Sequence, residues 1–299
     1  MTKSYLSSFM KILCVSLMSI FCFSYAANAS KNVIVICAHP DDCEITAGGL
    51  ALLMTDAGCK VKFVSVTNGN KGHQTLSEEE LAKRRYNETV CVKNLANIEY
   101  EVLNIPDGEL VPSLENRLEI IRLIREWKAD LVITHRPSDY HPDHRNVSIL
   151  VQDAAFMVTV PKVLPSVPAL SYNPVFLYTR DRFTSPRPFR PDVVVDVTPV
   201  MRKKAEMIHC HASQVYEWLP WLNHTENTIP TDEEERINLQ VKNYVIKRGF
   251  ITKQDKKILN KFYGKKRAQK VQAVEAFEFS EYGKQLTEDE IKEWFPIFD

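Results

Sequence analysis

Residues 31–38 read KNVIVICA, a short β-branched run that is typical of a buried strand. Residues 44–58 follow with apolar side chains at helical spacing, and residues 60–67 (KVKFVSVT) have the pattern of a second buried strand. Strands that alternate with a helix in this way indicate parallel pairing, since a parallel crossover needs a connection of about this length. This stretch therefore predicts an α/β fold.

The alternation continues to about residue 215, which predicts a Rossmann-like, mostly parallel sheet with helices on both faces. The further strands are expected at 100–105, 130–134 and 192–197, with one more (PVFLY) inside the proline-rich segment 161–191. The further helices are expected at 76–96, 114–128, 145–160 and 199–214.

The last 80 or so residues differ from the rest because charged residues dominate them. We expect helices over 232–247 and 287–294, and no strand. We therefore divide the chain into an α/β core (30–215) and a helical C-terminal cap that packs on it (216–299).

Residues 1–29 have the pattern of a secretory signal peptide. Lys3 and Lys11 precede the uncharged run 12–25, and the small residues of Ala27-Asn28-Ala29 fit cleavage before Ser30. A lone membrane anchor is the alternative, but this run is shorter than the ~20 residues that cross a bilayer. We expect an exported protein, periplasmic or secreted, without a stable membrane span.

The composition excludes several classes of protein. The chain has 38 basic and 38 acidic residues and 44% apolar residues, as expected of a globular domain. No net charge and no basic block indicate no nucleic-acid partner and no anionic membrane surface. The cysteines lack paired spacing, and Cys37 and Cys91 lie in apolar runs, so we predict no disulfide that defines the fold.

The loop after the first strand contains an imidazole and two carboxylates within four residues, His39-Pro40-Asp41-Asp42. Open parallel sheets bind ligands at this edge, and His and Asp are ordinary Zn²⁺ ligands. Pro40 fixes one backbone angle, which lets His39 and Asp42 face one ion while Asp41 points elsewhere. The alternative is a solvated turn with a helix-capping Asp. No glycine-rich nucleotide motif and no H-E-x-x-H motif occurs in the sequence.

A second polar cluster follows the strand at 130–134. Residues 135–145 (HRPSDYHPDHR) contain three of the eight histidines. Because both clusters follow strands at the same edge, His39, Asp42 and His144 are expected to converge in a three-ligand site with one open position. The alternative is a polar surface loop before a helix.

Two motifs resemble the hallmarks of the PIG-L (LmbE-like) zinc-dependent de-N-acetylase family. They are A-H-P-D-D-x-E at 38–44 and H-P-D-H-R at 141–145, and neither has a substitution. The resemblance covers about residues 31–215 and includes four weaker matches, which are NGNKG at 68–72, Arg85-x-x-Glu88, Pro106-Asp107-Gly108 and His211-Ala212-Ser213-Gln214.

The resemblance implies a metal site and a general base. His39, Asp42 and His144 would hold Zn²⁺, although other divalent ions such as Fe²⁺ or Co²⁺ also suit these ligands. Asp41 would take the proton of the attacking water and return it to the leaving amine. The substrate class implied is an N-acetylglucosamine-like amino sugar or glycoconjugate, which loses its N-acyl group.

The resemblance also implies a group that stabilises the oxyanion. His141 would do so as an imidazolium, and Asp143 would orient and charge it.

Five residues are candidates for substrate contact, each with a structural alternative. Pairing with Glu88 on a helix face is the alternative for Arg85, and packing of the cap is the alternative for the aromatic residues, Trp221 among them. An acidic residue often stands in this family where this chain has an asparagine. The candidates are Arg85, Asn70, Asp107, Tyr216 and Trp218.

Two other functions stay open at this point. One is an amidase that acts on a sugar-thiol conjugate, and the other is a catalytically inactive carbohydrate-binding relative. The intact Asp41 and His141 argue against the second, because a binding protein needs neither a base nor an oxyanion group. The sequence leaves the oligomeric state open, a homo-oligomer included.

Overall fold

The computed structural model of the protein describes residues 30–295 and 298. Within this part of the chain, seven strands form one mixed sheet. They are β1 (Asn32–Cys37), β2 (Lys60–Ser65), β3 (Glu99–Val102), β4 (Leu131–Thr134), β5 (Val175–Thr179), β6 (Val193–Asp196) and β7 (Val274–Phe279).

Helices follow most of the strands, as the sequence predicts. They are α1 (Asp42–Asp56), α2 (Glu78–Ala96), α3 (Leu114–Glu126), α4 (Pro142–Met157), α5 (Met201–His209), α6 (Leu219–Leu222), α7 (Glu233–Gln240), α8 (Lys253–Ala268) and α9 (Glu288–Trp294). Two π-helical segments, Ser213–Trp218 and Val241–Ile246, interrupt the helices of the C-terminal part.

The order of the strands decides where a ligand binds. The order is β3-β2-β1-β4-β5-β7-β6, and β1 to β5 are all parallel. The strand order reverses at β1, which pairs with β2 on one side and β4 on the other. The loops after β1 and β4 therefore leave the same edge at the switch point, where open α/β sheets bind their ligands.

Both faces of the sheet are covered by helices. Along β1, Val33 and Val35 belong to one buried cluster and Ile34 and Ile36 to another, because successive side chains of a strand point to opposite faces. Residues of α1, α2 and α5 complete the first cluster, and residues of α3 and α4 complete the second. The predicted α/β class with helices on both faces is confirmed.

The C-terminal part is not purely helical, so the prediction that it contains no strand is wrong. β7 runs antiparallel between β5 and β6. Its sequence, VEAFEF, has charged side chains that suggest an exposed segment, but Glu275 pairs with Lys204 and Glu278 with Arg187, and both glutamates are buried. Residues beyond 215 thus add a strand to the sheet as well as the helices of the predicted cap.

The structure contains a disulfide, where the sequence predicts none that defines the fold. Cys91, on an exposed position of α2, is bonded to Cys210, which follows α5 directly. The two cysteines are 119 residues apart, and nothing in the local pattern of either pairs them. The bond ties α2 to the segment 211–214 that carries the last of the weaker family motifs.

Although the net charge of the chain is zero, residues 253–270 form a basic segment. The prediction that the chain has no basic block is therefore wrong. Residues 253–270 contain a single acidic residue, Asp255, which is buried and pairs with Arg180. The exposed lysines of this segment are Lys253, Lys256, Lys257, Lys261, Lys265, Lys266 and Lys270.

The structure adds one finding on membrane insertion. Among residues 30–295 and 298, no helix has the length and apolarity that a bilayer span requires. The predicted signal peptide (1–29) lies outside the described residues.

Candidate metal centre and active site

Three ligand atoms from two loops lie close together at the switch point of the sheet. His39 Nδ1 is 3.3 Å from Asp42 Oδ2 and 3.2 Å from His144 Nε2. His144 Nε2 is in turn 3.3 Å from Asp42 Oδ2. The structure thus brings together the three residues that the sequence analysis selects as ligands. We call them the ligand triangle.

The dimensions of the ligand triangle fit a tetrahedral metal ion. Ligand atoms ~2.0–2.1 Å from a tetrahedral Zn²⁺ are about 3.3–3.4 Å apart, which matches the three distances. Although burial opposes ionisation, the nearby His144, His135 and His39 hold the pKa of Asp42 well below its usual value. An aspartate binds a metal ion as the carboxylate, and this lowering favours that form.

Carboxylates orient both histidines of the triangle. The far nitrogen of His39, Nε2, lies 3.1 Å from Asp107 Oδ1 and 3.2 Å from Asp143 Oδ2. The far nitrogen of His144, Nδ1, lies 3.1 Å from Asp139 Oδ1. Asp143 hydrogen-bonds Nε2 of His39, which would leave the lone pair of Nδ1 for a metal, as is usual for histidine ligands. The contact of Asp139 with His144 Nδ1 is close enough for an ion pair but is not a hydrogen bond.

Two aspartates of the predicted site also contact His39. The structure places Asp143 Oδ2 3.9 Å from His141 Nδ1, an ion-pair distance that is too long for a hydrogen bond, so its role in orienting His141 stays a prediction. The carboxylate contacts His39 and accepts the backbone N–H of Gly108 at 2.7 Å. Asp107, a predicted substrate contact, faces His39 as well. Both residues support a ligand because the loop after β3 folds back over α4.

Neighbouring histidines and carboxylates offer other combinations of possible ligands. These combinations are His39-His141-His144, Asp42-His135-His144 and His39-Asp107-His141-Asp143. His135 Nε2, however, accepts the backbone N–H of Ala38 at 3.1 Å and lies 3.5 Å from Asp42 Oδ2. Its lone pair is thus already used, which favours the ligand triangle.

Asp41 occupies the helix N-cap position but does not cap the helix. Its carboxylate accepts no N–H of the first turn of α1, so the capping alternative does not hold for this residue. Its φ of 134° is rare for a residue with a side chain, and such strain concentrates at functional sites. Burial raises the pKa of Asp41 to about 6, against the opposing effect of Arg85. A carboxyl group with such a pKa exchanges protons readily near neutral pH.

Arg85 acts on Asp41 and on the loops around it. Nη2 lies 3.3 Å from Asp41 Oδ2 and also donates to the carbonyl of Pro40, while Nη1 donates to the carbonyl of Gly69 at 3.2 Å. Gly69 has a φ of +65°, and a Cβ there would lie 2.3 Å from Arg85 Nη1. The guanidinium is thus a buried support for the general-base candidate.

Arg85 lines the cleft, so its contact with a substrate stays a prediction, but the predicted alternative, pairing with Glu88, is not observed. Glu88 pairs with Arg84 at 3.5 Å and accepts hydrogen bonds from the backbone N–H and the hydroxyl of Ser213. Arg84 and Arg85 leave α2 in different directions, which the spacing of the Arg85/Glu88 pair does not reveal.

His141 can donate a hydrogen bond from one defined atom. Its Nδ1 accepts the backbone N–H of Asp143 at 3.2 Å, so the ring proton is on Nε2. Burial, together with His39 and His144, lowers the pKa of His141. The carboxylates of Asp107 and Asp143, each 3.9 Å from a ring nitrogen, oppose this lowering, so the imidazolium form stays a prediction.

The ligand triangle, Asp41 and His141 line one cleft of about 800 Å³. Trp218 also lines this cleft and stacks on Trp221, with ring centroids 5.4 Å apart. Tyr216 does not line it, because its hydroxyl is buried against His209 Nδ1 at 2.8 Å. Trp218 therefore remains a candidate for sugar contact, whereas Tyr216 packs inside the protein.

Asn70 has a structural role in this arrangement. Its side-chain carbonyl accepts the backbone N–H of Asp107 at 2.8 Å, and its amide donates to Glu78 at 2.6 Å. Since Asn70 is buried and does not line the cleft, it positions the loop of Asp107 and does not face a ligand.

Comparison with known proteins agrees with this geometry. The profile of the PIG-L family, described as GlcNAc-PI de-N-acetylase, matches residues 34–155. Diacetylchitobiose deacetylase of Thermococcus kodakarensis is 30% identical over 212 residues, which are 65% of this chain and 76% of that protein. The chain belongs to the PIG-L family.

Other similar proteins show the breadth of this similarity. The chain is 23% identical to 4-oxalmesaconate hydratase of Pseudomonas putida over 63% of its own length and 76% of that protein. The solved N,N'-diacetylchitobiose deacetylase of Pyrococcus horikoshii shares the fold, with a TM-score of 0.64, 23% identity and 94% coverage of each chain.

Two features of this PIG-L site have no counterpart in the sequence analysis. Asp139 precedes His144 by five residues, and a search for the carboxylate partner that each histidine ligand needs would have selected it. Glu44 of the first motif and His211 form a fully buried pair, with Nε2 and Oε1 2.9 Å apart. No local signal links these two residues, since 167 positions separate them.

Proposed function

We propose that the protein is a zinc-dependent N-deacetylase that hydrolyses the acetamido group of an N-acetylglucosamine-like sugar. One observation carries the proposal: the buried Asp41 carboxylate does not cap the helix, and it lies in the same cleft as the ligand triangle. The 30% identity to a diacetylchitobiose deacetylase supports the substrate class.

The ligand set supports Zn²⁺ as the metal. Two imidazoles and one carboxylate are a frequent set for catalytic zinc, and three protein ligands leave one coordination position open. When bound, the ion would supply Lewis acidity to the amide carbonyl and to water.

The residues of the chain then perform the proton transfers. The Asp41 carboxylate takes a proton from the attacking water, whose oxygen forms the new bond to the acyl carbon. His141 Nε2–H donates to the carbonyl oxygen as its negative charge grows. Asp41 then returns its proton to the sugar nitrogen as the C–N bond breaks, and acetate and the free amine result. Arg85 holds Asp41 in place through this cycle.

A hydratase is the rival to be tested, because one fold can host several reactions and a hydratase is among the relatives at 23% identity. A metal ion and an aspartate base also suit the addition of water to a double bond. The higher identity to a deacetylase favours amide hydrolysis.

Acetate release from N,N'-diacetylchitobiose tests the proposal directly. We expect turnover by the protein loaded with Zn²⁺, loss of turnover after complete chelation, and recovery when Zn²⁺ is added back. Release that persists without metal would contradict the metal mechanism. A protein that is inactive on every N-acetylated sugar but hydrates 4-oxalmesaconate would establish the rival instead.

We also propose that the protein is exported and that residues 1–29 are its signal peptide. The Cys91–Cys210 bond supports this proposal, because disulfides persist mainly in oxidising compartments. The intact mass of the protein from its native host should correspond to a chain that begins at Ser30. A cytosolic protein that retains residues 1–29 would refute export.

A further inference from the structure

We propose that the substrate carries an anionic group, a phosphate or a carboxylate, and that Arg182, Lys247 and Arg248 bind this group. The inference rests on the proposed function for the position of the reacting sugar. It concerns a part of the cleft that the chemistry of deacetylation does not use.

These three cations are available to a ligand. Arg182, Lys247 and Arg248 all line the cleft, and all three are exposed. Among the ion pairs of residues 30–295 and 298, none joins any of the three to a carboxylate. Their charge is therefore not cancelled by the protein itself.

The other cations of this part of the cleft are already paired. Arg136 pairs with Asp181 at 2.8 Å, and Arg180 pairs with the buried Asp255. Lys204 pairs with Glu275, whose carboxylate also accepts two backbone N–H groups of α1. Carboxylates of the protein neutralise these cations. The positive charge that is left in this part of the cleft therefore belongs to the three exposed residues.

Aromatic rings hold the two guanidinium groups. The Cζ of Arg182 lies 5.6 Å from the centre of the Phe250 ring, and that of Arg248 lies 5.0 Å from the centre of the Tyr244 ring. A guanidinium at such a distance from a ring is attracted to it, which restricts its position. A planar guanidinium fixed in this way can bind a phosphate or a carboxylate through two parallel hydrogen bonds.

Two separate segments supply the three cations. Arg182 follows β5, whereas Lys247 and Arg248 follow the π-helical segment Val241–Ile246. Phe250 connects them, since Arg180 and Arg182 both lie against its ring and Arg180 donates to its carbonyl at 3.0 Å. The fold thus lines this cleft with unpaired charge from distant parts of the sequence. We call Arg182, Lys247 and Arg248 its cationic wall.

The cleft has room for such a substituent. Its volume of about 800 Å³ is in the upper part of the ~300–1,000 Å³ range of small-molecule sites. Of the acidic residues that line the cleft, Asp181 and Glu275 are paired with Arg136 and Lys204. The others belong to the metal end, and they are Asp41, Asp42, Asp107 and Asp139. The acetamido group would lie at that end and the anion at the cationic wall.

The test compares three N-acetylglucosamine probes that differ in charge. The neutral probe is N,N'-diacetylchitobiose, the carboxylate probe is N-acetylglucosaminyl-glucuronic acid, and the phosphate probe is N-acetylglucosamine 1-phosphate. We expect the zinc-loaded enzyme to prefer one anionic probe in kcat/KM by roughly tenfold or more. Which anionic probe it prefers identifies the source of the charge.

Two triple variants with the same change in charge locate the effect. Arg182→Gln/Lys247→Gln/Arg248→Gln should lose the preference through a higher KM for the anionic probe. Lys265→Gln/Lys266→Gln/Lys270→Gln, which alters exposed lysines of a separate surface hollow, should retain it. Equal kcat/KM for charged and neutral probes in the wild type would overturn the inference. So would an equal loss of preference in both variants.

Failure of the proposed function gives a different result. If no probe is deacetylated, calorimetric binding of the same three compounds to the wild type and to both variants replaces the kinetics. Tighter binding of an anionic probe that only the first variant loses would support the cationic wall. Equal binding of all probes would refute it.

Discussion

Replacing Asp41 by asparagine should lower kcat for deacetylation by about 10²–10⁴-fold, the usual contribution of a general base. Asparagine has nearly the same shape, and it tolerates the positive φ that this position requires. It cannot accept the proton of the water, however, and it cannot return one to the amine. Initial rates of acetate release from zinc-loaded wild type and Asp41→Asn measure the effect.

Metal content distinguishes a base from a ligand. Because Asp41 is not part of the ligand triangle, Asp41→Asn should still bind one metal ion per chain in plasma mass spectrometry. Asp181→Asn makes the same change in the same cleft, on the Arg136 side, and serves as the matched control. A variant Asp41→Asn with a tenth or more of the wild-type kcat would contradict the assigned role, as would loss of the metal.

Replacing His144 by alanine should remove both the metal and the activity. The substitution deletes one corner of the ligand triangle, and the two remaining ligands belong to one short loop. Structural and catalytic zinc sites use at least three protein ligands. We therefore expect the rate of deacetylation to fall to that of the wild type after complete chelation. Metal titration monitored by metal content, with circular dichroism as the check on folding, measures the loss.

A second substitution should weaken metal binding without abolishing it. Asp139→Asn keeps the triangle and removes the charge that faces His144 Nδ1, while its amide oxygen can still accept the backbone N–H of His141. It should therefore weaken metal binding by about 10–100-fold. Excess Zn²⁺ should restore its activity but not that of His144→Ala. Stoichiometric metal in purified His144→Ala would place the ion elsewhere in the histidine cluster.

The sequence predicts those parts of the protein that depend on local pattern. The buried run at 31–38 and the alternation after it predict the parallel sheet, and the sheet edge brings His39 and Asp42 to His144. The spacing of these residues is sufficient because parallel strands end on the same side.

Partner choice among polar groups could not be predicted in the same way. Asp143 is two residues from His141, yet it contacts His39, which is 104 residues away. The disulfide and β7 could not be predicted for the same reason. Cys210 and the buried carboxylate of Glu275 meet their partners only in the folded chain. Proximity in the sequence does not predict the partner of a polar side chain when the conformation of a loop determines the contact.

The aromatic candidates also take positions that the sequence could not predict. Tyr216 and Trp218 are two residues apart, and the sequence treats them alike. In the π-helical segment Ser213–Trp218 their side chains diverge, so that Tyr216 packs on His209 while Trp218 lines the cleft. Sequence periodicity for an α-helix cannot anticipate this departure.

The position of the metal in crystals grown with Zn²⁺ shows most directly whether the ligand triangle binds it. Anomalous diffraction at the zinc edge should show one ion at ~2.0–2.2 Å from His39 Nδ1, an Asp42 carboxylate oxygen and His144 Nε2. An ion bound to His39, His141 and His144 without Asp42 would contradict the ligand triangle, as would one bound to Asp42, His135 and His144 without His39. Absence of any peak between these loops would contradict it as well.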